Sequence, residues 1–370
     1  MKRALFTATK TLWHLFPLSF RRSAPTLWLA KKTKGMLSKN VINEADLSPK
    51  IEERPVTIVE PILTNESEVK PPLLATMTPG VRVISTLDEL DEMLKMLDQA
   101  AAISDDELRR GFTKFQMQFP LDLPEDPDSD EYRATQMKLY QWLNGKAYTT
   151  ANEVSAFDVA AAIKKPFPFQ TESPQTVGNH IISIGHLIRT LNLKAKSSLL
   201  EFGPGWGNTT IWLARMGYAV TAVDIEQNFI DLINGRAKAK GLEVEAIQGD
   251  FSLIDSFDRQ FDAVLFFECF HHCSNHQALI ASLDRVVTPG GKVLFAAEPI
   301  LDAFPIPWGL RLDGESLWAI RHQGWLELGF QETYFRSLMA RHGWDINKVE
   351  CAETPWGTIF VATRKVEAQN

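Results

Sequence analysis

The 370-residue sequence is poor in cysteine and has no long apolar run. Its three cysteines, Cys269, Cys273 and Cys351, are an odd number, and two of them lie four residues apart. That does not make a disulfide framework and fits a reducing compartment. No stretch reaches the roughly 18 consecutive apolar residues needed to cross a bilayer. Repeats and low-complexity tracts are absent, as is the Gly-Lys-Ser/Thr of a P-loop. Collagen, coiled-coil and disordered classes are excluded by composition. Acids are missing from residues 1–40, which hold nine basic residues.

What is present is ordinary for a globular chain: 45% hydrophobic residues, 23% charged residues and a net charge of −7. The average conceals an asymmetry. Beyond residue 40 the chain carries 30 basic and 46 acidic residues, a net of −16. A mildly acidic body with a basic arm is not the footprint of a nucleic-acid binder, so no nucleic-acid partner is expected.

Residues 1–40 interleave Leu5, Phe6, Leu12, Trp13, Leu15, Phe16, Leu18 and Phe20 with Lys10, Arg21 and Arg22. Lys10 and Pro17 interrupt the apolar core that a secretory signal needs. Three readings stay open: a transit peptide, an amphipathic arm lying on an anionic membrane surface, and a partly ordered tail. The expected location is cytoplasmic, with or without peripheral membrane contact through this arm. Residues 41–80 contain six prolines and read as an extended linker.

Residues 81–194 read as a helical extension. Thr86 with Glu89, and Ser104 with Glu107, have capping-box spacing. Leu87, Leu90, Leu94 and Leu97 form one apolar face, and Ile181, Ile184, Leu187, Ile188 and Leu191 form another. Residues 85–131 hold 14 acids and four basic residues, either a solvated surface or a seat for the basic arm. Residues 120–130 read as a loop.

Residues 195–370 change rhythm. Strands are expected at Ser197–Phe202, Ala219–Asp224, Glu243–Gln248, Phe261–Glu268 and Lys292–Glu298. Helices are expected at Asn208–Met216, Gln227–Lys240 and Gln277–Val287. This alternation predicts an α/β domain with a parallel sheet covered on both faces.

The strongest local signal is Glu201-Phe202-Gly203-Pro204-Gly205-Trp206-Gly207-Asn208. An apolar strand runs into glycines at alternate positions, which permit a tight turn and close approach of a ligand. The next strand ends in Asp224, where a carboxylate can accept from both hydroxyls of a ribose. The strand after it ends in Gly249-Asp250-Phe251, where a carboxylate can accept from an adenine amine beside an aromatic ring. A dinucleotide fingerprint would have a small residue at the position of Asn208, which counts against a nicotinamide-dependent oxidoreductase.

These motifs, with Phe261-Asp262-Ala263-Val264 and Pro289-Gly290-Gly291-Lys292, resemble those of class I S-adenosylmethionine-dependent methyltransferases. The resemblance covers roughly residues 195–365. It implies a Rossmann-like doubly wound sheet of seven strands, with strands six and seven at Trp344–Cys351 and Thr358–Arg364. The seventh would be antiparallel and inserted beside the fifth. It also implies S-adenosylmethionine as cofactor, with Glu201, Gly203, Gly205 and Gly207 at its methionine part, Asp224 at the ribose, and Asp250 and Phe251 at the adenine. N-terminal segments of that family often cap the cofactor, a role open to Tyr148–Pro174 with Phe157, Phe167 and Phe169. The whole arrangement is also similar to methyltransferases of bacterial glycan assembly.

For methyl transfer to an oxygen, acceptor-side groups should lie at strand ends. His271 and His272, after strand four, are candidates for a base or acceptor contact, as are Glu268 and Glu298 at the ends of strands four and five. Buried structural histidine and helix capping are the alternative roles. Cys269/Cys273 and His272/His276 have helical i, i+4 spacing, yet no metal site is expected. An insert at 299–332 carries Trp308, Arg311, Trp318, Arg321, His322 and Trp325, suited to a saccharide acceptor or to a packed lid or dimer contact. The expected activity is O-methylation of a sugar or glycan. A non-catalytic adaptor that keeps the cofactor fold is the alternative of a different class.

Overall fold

The computed structural model describes residues 80–118, 123–165, 171 and 173–365. The basic arm, nearly all of the proline linker, and Phe167 to Phe169 lie outside the described residues.

The extension begins with β1 (Arg82–Ile84), α1 (Leu87–Ile103), α2 (Asp105–Phe112) and β2 (Phe115–Met117), with β1 and β2 pairing in parallel. Thr86 and Glu89 form the full capping box. Ser104 caps α2 through the Glu107 amide, but the Glu107 carboxylate pairs with Arg110, so that box is half formed. After α3 (Asp130–Asn144) come a 3-10 turn at Thr150–Glu153, α4 (Val159–Lys164) and α5 (Pro174–Leu191). Leu90, Leu94 and Leu97 are buried as expected. On α5 the stripe is shifted: His180, Ile184, Leu187 and Leu191 are buried, whereas Ile181 is 46% exposed. Spacings of four, three and four residues keep the first set on one face, and Ile181 sits about 100° away from it.

The main sheet is built from β3 (Ser198–Phe202), α6 (Asn208–Arg215), β4 (Ala219–Asp224), α7 (Gln227–Lys240), β5 (Val244–Gln248), β6 (Phe261–Phe267), α8 (His276–Val286) and β7 (Val287–Ala296). After an insert of β8 (Ile300–Leu301), β9 (Trp308–Leu310), α9 (Gly314–His322) and β10 (Leu328–Gln331), the chain closes with α10 (Glu332–Arg341), β11 (Trp344–Val349) and β12 (Ile359–Arg364). The strand order is β11-β12-β7-β6-β3-β4-β5. β12 lies antiparallel between β11 and β7, and the other pairings are parallel. This is the Rossmann-like doubly wound sheet of seven strands. Alternate residues feed two cores: Leu200, Phe202, Val264 and Phe266 one face, Leu199, Ala263 and Leu265 the other. The order reverses between β3 and β6, and open α/β sheets bind ligands at such a switch point, outside the carboxyl ends of the strands.

Three strands stop short of expectation, β11 at Val349 rather than Cys351 among them. β6 stops at Phe267 and β7 at Ala296, because Glu268 (φ 53°) and Ala297 (φ 56°) take left-handed backbone that a ladder cannot continue. The segment after β6 is a single 3-10 turn, so Cys269/Cys273 and His272/His276 do not stack as helical pairs.

The insert is folded. β8, β10 and β9 form a small sheet, and α9 packs against the extension. Trp308 is 1% exposed, so it is not a saccharide platform. Its indole N–H donates to Pro127 O at 2.7 Å, and its carbonyl accepts from Tyr132 Oη at 2.9 Å. A tryptophan with one polar tip is buried when that tip finds a partner, and the extension supplies it. Truncation at this joint leaves a large cavity. Trp308→Ala is expected to cost about 3–5 kcal/mol in urea unfolding; a midpoint equal to wild type would show that the insert and extension are not packed as one body.

Candidate active site

The glycine loop leaves β3 and turns into α6 with Gly203, Gly205 and Gly207 all at positive φ. At Gly203 a Cβ would stand 2.5 Å from the Cys269 Cβ, so a side chain would push the loop off β6. At Gly205 a Cβ would meet nothing within 4 Å, and the bare backbone faces open space. Asn208 is buried and accepts from the buried Arg236 at 3.2 Å, so the place of the small residue in a dinucleotide loop is taken by a polar anchor.

Asp224 ends β4 beneath this loop. One carboxylate oxygen accepts from Gly205 N and the other from Glu226 N, both at 2.9 Å. A carboxylate has about four lone-pair sites, so two remain for a ligand. Burial raises its pKa to about 6 against those two hydrogen bonds. Glu201, 1% exposed, accepts from Thr210 Oγ1 at 2.6 Å, and burial raises it to about 7. Asp250 accepts from the amide and hydroxyl of Ser252, the amide at 2.8 Å, and caps the short turn after β5. Phe251 packs against Phe202 with ring centroids 5.7 Å apart. The extension covers the loop: Phe157 packs on Trp206 (4.6 Å) and Phe229 (5.1 Å), and Ser155 N donates to Glu226 at 3.2 Å.

The same cavity, about 1420 Å³, runs from Gly205 and Asp224 past the ends of β6 and β7 to the insert. All four acceptor-side candidates, Glu268, His271, His272 and Glu298, line it. Their roles differ. The Glu298 carboxylate accepts from the amides of Cys269 (2.9 Å), Phe270 (2.9 Å) and His271 (3.1 Å), and it holds His271 Nδ1 at 2.7 Å. It is therefore saturated and acts as a clamp, leaving no free oxygen for use as a base. With Nδ1 engaged, His271 offers Nε2, 3.8 Å from Glu327. Burial pulls the His271 pKa down, and the charges of Glu298 and Glu327 more than offset this, so the net shift is upward. His272 is driven well below the usual histidine range by burial and by His271, whose ring centroid is 4.3 Å away. Burial raises Glu268 to about 7.

Three neighbours carry no expectation from the sequence. Glu153 comes from the extension, accepts from Leu326 N at 2.9 Å and approaches His272 Nδ1 at 3.5 Å. Glu327 comes from the insert and faces Arg311 Nη1 at 3.5 Å. Burial raises Glu153 to about 8 and Glu327 to about 7. Tyr148 lines the same cavity as Glu153. Glu327 has a signal in the sequence: an acid between Leu326 and Leu328, both fully buried, must itself point into a polar interior. Glu153 has none, because its partners across the cavity are over 100 residues away. Trp318 and Trp325 line the cavity, but Arg321 and His322 face away to Asp91 and Asp98 of α1.

Residues 200–295 match a family described as "Methyltransferase domain". The chain is 31% identical over 107 residues to a demethylmenaquinone methyltransferase of Tropheryma whipplei, 29% of this chain and 44% of that one. It is 30% identical over 102 residues to a ubiquinone biosynthesis O-methyltransferase of Rickettsia conorii, 28% of this chain and 35% of that one. A solved SAM-dependent methyltransferase from Thiobacillus denitrificans, in complex with S-adenosyl-L-homocysteine, is 16% identical. It covers 50% of this chain and 91% of its own, with a TM-score of 0.37. The chain spans less than half the length of either curated relative.

Glu201 yields a pH test. Its folded pKa lies above the ordinary glutamate value of 4.5, so the fold favours the protonated form. Its contribution is intact below the unfolded pKa and lost as pH rises towards the folded one. Without ligand, Glu201→Gln should gain on wild type in melting temperature as pH rises from about 5 to about 8. A gap that stays constant in calorimetry would show that Glu201 carries no such burial cost.

Proposed function

We propose that the chain is an S-adenosylmethionine-dependent methyltransferase that methylates a hydroxyl oxygen of a sugar or glycan, with residues 195–370 as the catalytic domain. One observation carries the reading: the glycine loop, Glu201 and Asp224 open into the same cavity as the buried histidine and carboxylate cluster. The residues fit the cofactor. Gly205 presents bare backbone to the cavity, at a positive φ that a side chain would strain. Asp224 keeps two acceptor sites for ribose hydroxyls, and Asp250 stands at the next strand end for an adenine amine. Glu201 and the glycines suit the methionine part. When bound, S-adenosylmethionine supplies a methyl group on a sulfonium, open to in-line displacement.

The rest is the work of this chain's own groups. Phe157, lying over Trp206, excludes water from the loop. Glu298 orients His271, which faces the acceptor together with His272. A hydroxyl must lose its proton as the oxygen takes the methyl carbon. Glu153, raised to about 8, receives that proton in its ionised form, which grows in from neutral to mildly alkaline pH. Trp318 and Trp325 offer aromatic faces for a ring-bearing acceptor. A second reading, a hydroxyl on a quinone precursor, is favoured by the relative at 30% identity, a ubiquinone biosynthesis O-methyltransferase. An adaptor role would be marked by cofactor binding without turnover on any acceptor.

Two measurements test this. Calorimetry should detect S-adenosylmethionine, and Asp224→Ala should weaken it at least about tenfold through loss of a charge-assisted contact; no heat at millimolar cofactor would sink the proposal. On a panel of saccharides and catechols, turnover should be confined to the saccharides, and Glu153→Gln should lower kcat by about 10²–10⁴. Turnover of catechols alone would select the second reading. Peripheral membrane contact through residues 1–40 belongs to the same proposal: deleting them should abolish co-sedimentation with anionic vesicles.

A further inference from the structure

We infer that the acceptor side of the cavity is also a binding site for one divalent transition-metal ion, held by His271, His272 and Glu327. One donor atom from each of these side chains lies within 4.8 Å of the others. They come from two separate parts of the chain, the turn after β6 and the insert just before strand β10, brought together only by folding. Binding stands on this geometry alone; a catalytic use of the ion rests on the methyltransferase reading.

Four features support a metal over a chance cluster. First, His271 is prepared as a ligand. Its Nδ1 is held by a buried carboxylate at 2.7 Å, the second-sphere arrangement that fixes the tautomer and leaves Nε2 as the donor. Second, His272 Nδ1 is buried and makes no hydrogen bond, so a lone pair or N–H is left without use. Third, four carboxyl groups share this part of the pocket. Glu153, Glu268, Glu298 and Glu327 converge there, and Arg311 is the guanidinium that meets Glu327. Fourth, Glu153 lies 3.5 Å from His272 Nδ1 and is placed to be a fourth ligand or to receive a proton from a bound hydroxyl.

Two imidazoles and a carboxylate suit zinc, cobalt, nickel, iron(II) or manganese(II) better than magnesium or calcium. Tetrahedral bonds of about 2 Å put donors roughly 3.3 Å apart, so small side-chain rotations would close the set. An ion there would offset the buried charge and polarise the acceptor hydroxyl, easing loss of its proton. No metal site is expected from the sequence, whose i, i+4 spacings of Cys269 with Cys273 and His272 with His276 form a different set. The structure removes that pairing: His276 is 1% exposed and bonded to Tyr334 Oη at 3.2 Å.

The test is titration of the chelator-treated full chain with cobalt(II), read by visible d–d absorption and by calorimetry. One ion per chain is expected, with a spectrum unlike the hexaaqua ion. His272→Ala and Glu327→Gln should each weaken it at least about tenfold, in keeping with loss of one ligand. Circular dichroism melts should show both variants folded, and Glu327→Gln preserves side-chain volume should His272→Ala fail to fold. Asp224→Ala, at the glycine-loop end of the cavity, should bind cobalt as wild type does while losing the cofactor, so the two readings fail separately. No spectral change at millimolar cobalt would overturn the inference, as would cobalt bound equally well by His272→Ala and Glu327→Gln.

Discussion

The buried carboxylate of Glu298 is the interaction on which the site depends. It accepts three successive amides after β6 and the ring of His271. These amides leave the sheet and would otherwise be orphaned in an apolar interior, at a cost of roughly 1–3 kcal/mol each. By satisfying them, one side chain ties the ends of the two central strands together. The strained backbone on either side, at Glu268 and Ala297, is tolerable because the clamp over-determines it. His271 is aimed into the cavity as a consequence.

Around this clamp the walls come from outside the sheet. Glu153 and Phe157 belong to the extension, Arg311 and Glu327 to the insert. Tyr132, Gln136 and Trp308 bolt those two parts to one another through buried hydrogen bonds. The two ends of the cavity are therefore governed by different segments. The sheet and its glycine loop carry the first; the extension and the insert wall the second. Buried acids follow the same division, because Glu153 and Glu327 meet where extension and insert close over the strand ends.

The seven strands are legible because a half- or fully buried strand must write its burial into its side chains. Ala219–Asp224 and Gln227–Lys240 have the expected bounds. Departures fall at strand ends, where backbone geometry overrides side-chain pattern: Glu268 and Ala297 are not glycines, and nothing in their identity foretells positive φ. For Trp308 the packed alternative holds over the saccharide one, a choice the sequence leaves open because an aromatic among cations has the same local pattern whether it faces solvent or a carbonyl. Ile181 departs because one residue of helical phase moves a side chain through about 100°.

By itself the sequence determined the sheet, the glycine turn and the acids at the ends of β4 and β5. All of these depend on residues close together in the chain, whose spacing and φ requirements are local. Only the tertiary structure decided which histidine is clamped, which glutamates share its cavity, and that the insert is a wall. Those facts rest on contacts between residues far apart in the chain, such as Glu153 with Leu326 and His271 with Glu327. Burial sets their charge states, and burial is a property of the closed cavity that no local pattern contains.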